Sequence, residues 1–265
     1  MLKNIPLFLS TLLIFSGLTS CEIDNYDTPD GGIFGQILDA ETNAPVPQPV
    51  PSDFGLRLRF YESGRENSLE QHFYAQTDGS FRNSHIFNGP IRLVAEQRNF
   101  LPINALNIRI EGQTECNIPV VPYARIHIDN VSINEPLVTI HFSVSRSELI
   151  SSGHFKIVQC NLLWHASPYI DNQTVNYAAC QSLPTPNIPD EELLSAPYSR
   201  NWDLSTAANQ TQLKRLAHLI QGNGGRIYMR ISIVTEDTSD GGRYVNYSEI
   251  VPVQINIQSL LISIQ

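Results

Sequence analysis

Apolar and polar positions alternate in short runs from Ile33 onward, the signature of half-buried strands. "GLRLRFYE" is the cleanest case, with Leu56, Leu58 and Phe60 on one face and Arg57, Arg59 and Tyr61 on the other. "IFGQILD", "GPIRLVAEQ", "LNIRIEG" and "CNIPVVPY" continue the pattern to Pro122, and "QTDGSF" carries an Asp78-Gly79 hairpin turn. Between the first two runs lies the Pro-rich connection "AETNAPVPQPVPS". No helical period appears over 33–122, so this block is predicted to be a sandwich of about seven strands. A second block, 123–265, opens with "ARIHID" and "LVTIHFSVS", joined through "NVSINEP". Ile126, Ile128, Val138, Ile140, Phe142 and Val144 are expected to face inward. "FKIVQCNLLWHAS" and "VNYAACQS" predict a second hairpin around "PYIDNQT". "RIYMRISIVTE" and "RYVNYSEIVPVQI" predict a third around "DTSDGG".

One segment changes period. From about 206 to 221, Leu213, Leu216, Ala217 and Ile220 recur at helical spacing, with Ser205 as N-cap and Gly222 just past the end. The expected fold is therefore mostly β: two tandem β-sandwich domains, the second with one helical insertion.

The chain start follows a different rule. Lys3 precedes an apolar run, Ile5 to Leu18, that is shorter than the roughly 20 residues of a membrane-spanning helix. It matches the apolar core of a secretory signal peptide. The run ends in Leu18-Thr19-Ser20-Cys21, which resembles a bacterial lipobox, so residues 1–20 read as a lipoprotein signal and Cys21 as the lipidated N-terminus. Residues 21–32, with Glu22, Asp24, Asp27 and Asp30 before Gly31-Gly32, read as an acidic tether. Their spacing lacks the alternating oxygen ligands of a calcium loop.

Composition narrows the partners. The net charge is −9, and Lys3 is the only charged residue of the leader, so the mature chain is more acidic still. Such a surface repels phosphate backbones, which makes nucleic acid a poor partner. Hydrophobic content of 42% is that of a globular protein. No cofactor or metal site is expected, since no zinc spacing, phosphate loop, G-x-S-x-G or H-E-x-x-H is present. His127 and His141 sit symmetrically about Asn134 and would pair across a hairpin, but two imidazoles alone do not hold a metal.

Of four cysteines, three remain beyond Cys21. Cys160 and Cys180 lie symmetrically about position 170, which leaves a cross-strand disulfide and two buried free thiols both open. Cys116 reads as a small core residue. Aromatics give the best lead to a ligand, because sugar rings pack their C–H faces on Trp and Tyr. Trp164 ends an alternating strand and reads as core. Trp202 sits in "APYSRNWDLS" with Tyr198, Asn201 and Asp203, on what reads as a Pro-rich loop. Trp202 is either a binding platform or a staple of the helix N-terminus to the core. Tyr169 at a hairpin tip is a further candidate.

Three phrases together, "DNYDTPDGGIFGQILDAETNAPV", "QTDGSFRNSHIFNGPIRLVA" and "VVPYARI", resemble a family of Bacteroidota lipoproteins of unknown function (DUF3823-type). These are often encoded beside SusC/SusD-type glycan-uptake pairs. The first block is similar to transthyretin-like or carboxypeptidase-regulatory-like sandwiches, whose opening strand reads G-x-I-x-D-x-x-T-x-x-P-V. The second is similar to fibronectin type III, although Ile227 stands where that fold has tyrosine. The resemblance implies a non-catalytic, cell-surface lipoprotein, accessory to glycan binding or uptake. It would be lipid-anchored in the outer membrane facing the exterior, with glycan and a SusC/SusD-type complex as partners. A structural or adhesive surface-assembly protein is the alternative, and a glycan-active enzyme (a glycoside hydrolase) the remote one.

Overall fold

The computed structural model describes residues 28–63, 69–96, 99–150, 153–173, 181–182, 194 and 197–258. The leader, Cys21 and Cys180 lie outside the described residues. The fold is mostly β, in several sheets with one helical insertion. Buried apolar side chains form two separate clusters, one over 33–120 and one over 124–257.

The first cluster lies between two sheets. Strands β1 (Gly31–Asp39), β4 (Ser80–Ile86), β7 (Gln113–Glu115) and β8 (Ile118–Val120) make one sheet. Strands β2 (Arg57–Glu62), β3 (Gln71–Tyr74), β5 (Gly89–Ala95) and β6 (Leu106–Ile110) make the other, in the order β3-β2-β5-β6. The β2 alternation holds: Leu56, Leu58 and Phe60 are fully buried, while Arg57, Arg59 and Tyr61 stay partly exposed. β1 pairs in parallel with both β7 and β8. Gly35 is needed there, because a Cβ would lie 1.8 Å from the Cys116 carbonyl oxygen. The Asp78-Gly79 turn forms, with Gly79 at φ +82°, but it is not a hairpin between paired strands. β3 pairs with β2 and β4 with β1, so the turn carries the chain from one sheet to the other.

The second cluster also lies between sheets. β13 (Tyr198–Asp203), β10 (Leu137–Ser145) and β9 (Arg125–Asn134) form one. β12 (Gln181–Ser182), β11 (Phe155–His165), β14 (Arg226–Asp237), β15 (Arg243–Tyr247) and β16 (Val251–Gln254) form the other. All six inward residues expected on β9 and β10 are buried. Helix α1 (Ala207–Gly222) adds Leu213, Leu216 and Ile220 to this core.

Its caps differ from the expected ones. The Thr206 hydroxyl accepts from the Asn209 N–H at 3.4 Å, so Thr206 is the N-cap. Ser205 is held instead by Asp203, whose Oδ1 accepts from the Ser205 N–H (2.8 Å) and hydroxyl (2.6 Å). Gly222 is still helical. Asn223 is the C-cap, and Gly224 (φ +79°) and Gly225 (φ +82°) supply the left-handed turn.

The two units meet through backbone groups caught by buried polar side chains. Arg230 on β14 is fully buried. Its guanidinium donates to the carbonyls of Ser248 (2.8 Å from Nη2), Ile170 (2.8 Å) and Gln48 (3.2 Å), and lies 4.3 Å from the Tyr247 ring centroid. Gln48 belongs to the Pro-rich connection of the first unit. Beside it, buried Asp171 accepts the Val50 N–H at 2.9 Å. Asn99 donates to the Pro47 carbonyl (3.0 Å), and Asn246 donates to the Asn99 carbonyl (2.8 Å) while accepting from the Ala124 N–H (3.1 Å). Burial pushes the Arg230 guanidinium down to about 10, against the opposing pull of Tyr247, Asp171 and Glu249, so it stays charged at neutral pH.

Arg230→Met removes donors to three buried carbonyls and should destabilise the chain by about 3–5 kcal/mol. Urea denaturation of wild type and variant checks this. Arg230→Lys, which cannot reproduce the planar fork, should recover little of the loss.

Candidate functional site

The Pro-rich connection crosses from β1 to β2 along the face of the second unit, and the junction leaves a groove of about 690 Å³ beside it. Volumes of this size at a domain interface suit a small organic ligand or a segment of polymer. The first unit contributes Pro45, Val46 and Pro47 from the connection, and Thr77 and Asp78 from the β3–β4 turn. The second contributes Ile126 and His127 from β9, Ser143 and Ser145 from β10, and Tyr247, Glu249 and Ile250 from the β15–β16 segment. Proline and isoleucine surface therefore forms the walls, and hydroxyls, the carboxylates of Asp39, Asp78 and Glu249, the Arg125 guanidinium and the His127 imidazole occupy the lining between them.

Sheet geometry explains which side chains reach this space. β9 and β10 alternate, so Ile126 and Ile128 turn into the core while His127 and Asp129 turn outward. His127 Nδ1 lies 3.8 Å from Glu249 and its Nε2 3.9 Å from Asp129. Glu249 is fixed in turn by the Ile128 N–H (3.3 Å), and Asp129 by the Ser143 hydroxyl (3.3 Å). Asp39 and Arg125 line the groove as an ion pair. Arg125 binds both oxygens of Asp39, pairs with Glu41 at 2.6 Å, and Glu41 also accepts from the Ser147 hydroxyl. Burial would raise the Asp39 carboxyl, but the Arg125 hydrogen bond, backbone N–H groups and the guanidinium charge outweigh it and hold it below its ordinary 3.8. The Ser147 hydroxyl and then Arg125 lower Glu41 likewise.

The residues singled out in the sequence lie elsewhere. Residues 198–203 are strand β13 at the edge of the β9–β10 sheet, not a loop. Trp202 is 0% exposed, with its ring centroid 4.4 Å from that of Trp164. It presents no face to a ligand, because the alternation of β13 turns it inward opposite Val138. Tyr198 is half-buried, 6.2 Å from the Phe142 ring. Asp203 is occupied in the turn before α1, where the Ser205 hydroxyl and N–H hold its carboxyl below the ordinary value. Asn201 is exposed and accepts from Thr139 at 3.0 Å, and Tyr169 is 61% exposed. None of the five lines the groove.

The histidine pairing also changes. The β9–β10 turn is Glu135-Pro136, not centred on Asn134, and a bulge follows at His141/Phe142. His141 therefore faces Asn130 and His127 faces Ser143. Cys160 is a free, fully buried thiol that burial pushes up to about 12. Its expected partner Cys180 lies outside the described residues. Among the described residues no cluster of three His, Cys, Asp or Glu side chains is placed to hold a metal.

Residues 32–121 match the N-terminal domain of DUF3823, a "protein of unknown function" family. In structure the chain is similar to a "putative carbohydrate binding protein" from Bacteroides uniformis, at TM-score 0.67 and 20% identity over 86% of this chain and 100% of that one. It is similar to a DUF3823 family protein from the same species at TM-score 0.66 and 19% identity, and to one from Parabacteroides merdae at 0.65 and 17%, with the same coverage. At these identities the likeness establishes the fold. No curated protein matches the chain.

Trp202→Ala should cost about 3–5 kcal/mol of stability through the cavity it opens beside Trp164. Thermal unfolding measures this. Acid should weaken the Arg125 cluster: because Asp39 and Glu41 are held below their unfolded values, their stabilisation is present above about pH 4 and is lost as pH falls through the folded values. Melting temperatures at pH 7 and pH 3 for wild type and Arg125→Met should show a smaller acid-induced drop in the variant.

Proposed function

We propose that this chain, which carries a DUF3823 N-terminal domain on the fold of DUF3823 proteins, is a non-catalytic, surface-exposed lipoprotein that binds glycan in the groove between its two units. The observation that carries the reading is the groove itself: about 690 Å³, walled by proline and isoleucine, lined by hydroxyls and carboxylates, and held open by a buried polar junction. Apolar walls accept the C–H faces of sugars, and Thr77, Ser143, Ser145, Asp78 and Glu249 offer donors and acceptors for hydroxyls. A rigid site loses little conformational entropy on binding. The Bacteroides uniformis neighbour, a "putative carbohydrate binding protein", supports the same direction. Cys21, at the end of an apolar run and ahead of an acidic spacer, is the lipid attachment point in this reading, and the groove stands away from the bilayer on that spacer.

Affinity electrophoresis of residues 22–265 through gels containing plant, microbial and host polysaccharides tests the reading. Retardation by at least one glycan is expected. Ala44→Trp, which places an indole in the groove from an exposed lining position, should abolish it. Unchanged mobility across the panel would refute glycan binding and favour an assembly role. Release of reducing ends by the protein would refute the non-catalytic part.

A further inference from the structure

The outer face of the β3-β2-β5 sheet is unusual for the solvent side of a small sandwich. It shows Arg57, Arg59 and Tyr61 on β2, His72 and Tyr74 on β3, and Arg92 on β5, with Glu70 and Glu96 beside Arg59. The register sets Arg57 directly across from Tyr74, and Tyr61 directly across from Arg92. Each forms a cation–π pair, with the guanidinium carbon 5.8 Å and 5.9 Å from the ring centroid. Two Tyr–Arg units thus repeat along the sheet. Their arginine Cα atoms are about 14 Å apart, being four residues along and one strand across.

The three arginines differ in their partners. Arg59 pairs with two carboxylates, Glu70 at 3.3 Å and Glu96 at 3.1 Å. Arg57 reaches Asp53 only at 3.5 Å, and that carboxylate is 87% exposed, a pairing of little worth. Arg92 is exposed and has no carboxylate within ion-pair range among the described residues. Both Arg57 and Arg92 lie against an aromatic ring; Arg57 is held only by that exposed Asp53 and by the Tyr74 hydroxyl at 3.4 Å, and Arg92 by no carboxylate among the described residues. A planar guanidinium held in this way offers a fork that fits a carboxylate or sulfate with two parallel hydrogen bonds.

We propose that this sheet face is a second binding site, distinct from the groove, for a linear polysaccharide bearing anionic groups, carboxylate or sulfate. Arg57 and Arg92 fork successive anions, and Tyr74 and Tyr61 supply the apolar surface beside them. A ligand that engages both arginines must run along the β2 strand, which calls for a polymer. The ligand class rests on the glycan-binding reading; the site does not, since none of these residues lines the groove.

The test uses the detergent-solubilised full-length chain and three probes: polygalacturonate for carboxylate, dextran sulfate for sulfate, and dextran as the neutral control. Binding of polygalacturonate or dextran sulfate is expected, and which of the two binds identifies the anion. Arg57→Ala/Arg92→Ala should weaken it at least about tenfold, as expected for two charge-assisted contacts. Ala44→Trp should leave it intact. Arg92→Lys keeps the charge but not the fork and should also lose affinity; full affinity in this variant would reduce the site to general cation attraction and overturn the proposal. Anion binding that survives the double substitution overturns it as well. Binding of dextran alone, or of none of the three probes, overturns it while leaving the groove reading to the polysaccharide panel.

Discussion

The buried guanidinium of Arg230 sets the arrangement of everything around it. A charged group with no water must find fixed acceptors, and it finds three backbone carbonyls that no sheet ladder serves. One, Ser248, lies where the edge of the sheet breaks between β15 and β16. Another, Ile170, lies in the connection after β11. The third, Gln48, comes from the other unit. The strand break, the loop and the Pro-rich connection therefore hold one geometry together. The Ser248 hydroxyl stands in for the interrupted ladder by accepting from the Ile231 N–H at 2.9 Å.

The rest of the junction follows the same rule. Pro45, Pro47 and Pro49 punctuate the 45–50 segment and limit what its backbone can donate; the Val46 and Gln48 N–H groups reach the Ile37 and Thr77 carbonyls, and the Val50 N–H and the carbonyls of Pro47 and Gln48 take side-chain partners. Asn99, Asp171 and Arg230 supply them. An apolar interface of similar size would tolerate sliding; one made of directional bonds to named carbonyls does not. The groove beside it inherits that rigidity, which is the property a binding site needs to hold hydroxyl-directed contacts without an ordering cost.

The fold was largely legible in the sequence, because period-two alternation is a local signal. Leu56, Leu58 and Phe60, and the six inward residues of β9 and β10, needed only counting. What failed was register and long-range contact. A two-residue Glu135-Pro136 turn and one bulge displaced the histidines, and neither feature leaves a mark in the alternation. Residues 198–203 looked like a loop because proline and polar residues surround them. Their own alternation, Tyr198, Arg200, Trp202, was the strand signal, and it placed Trp202 inward. Ser205 lost the cap because the Asp203 side chain competes for it, a contest between neighbours that cap preference alone does not decide. The groove was the least legible part. Its residues come from the 36–47, 77–78, 122–145 and 246–250 stretches, and the only local hint was the density of prolines in "APVPQPVP".

The β2 pattern also shows how one alternation serves two ends. Burying Leu58 and Phe60 is enough to make the strand, and the core places no demand on Arg57, Arg59 and Tyr61. Solvation alone would be met by shorter or more flexible polar residues, without stacked pairs. Tyrosine opposite arginine restricts both side chains, and a chain of net charge −9 has acids enough to neutralise every arginine on this face. Arg59 is neutralised in that way and Arg92 is not. The difference lies in placement. Glu70 and Glu96 both pair with Arg59 at the centre of the face, and Glu70 also accepts from the Tyr61 hydroxyl; at the ends, Arg57 meets only the exposed Asp53 and the Tyr74 hydroxyl, and Arg92 meets no carboxylate among the described residues. A surface built only for solubility has no physical reason to organise its charges in this order; a surface that meets an extended anionic partner does.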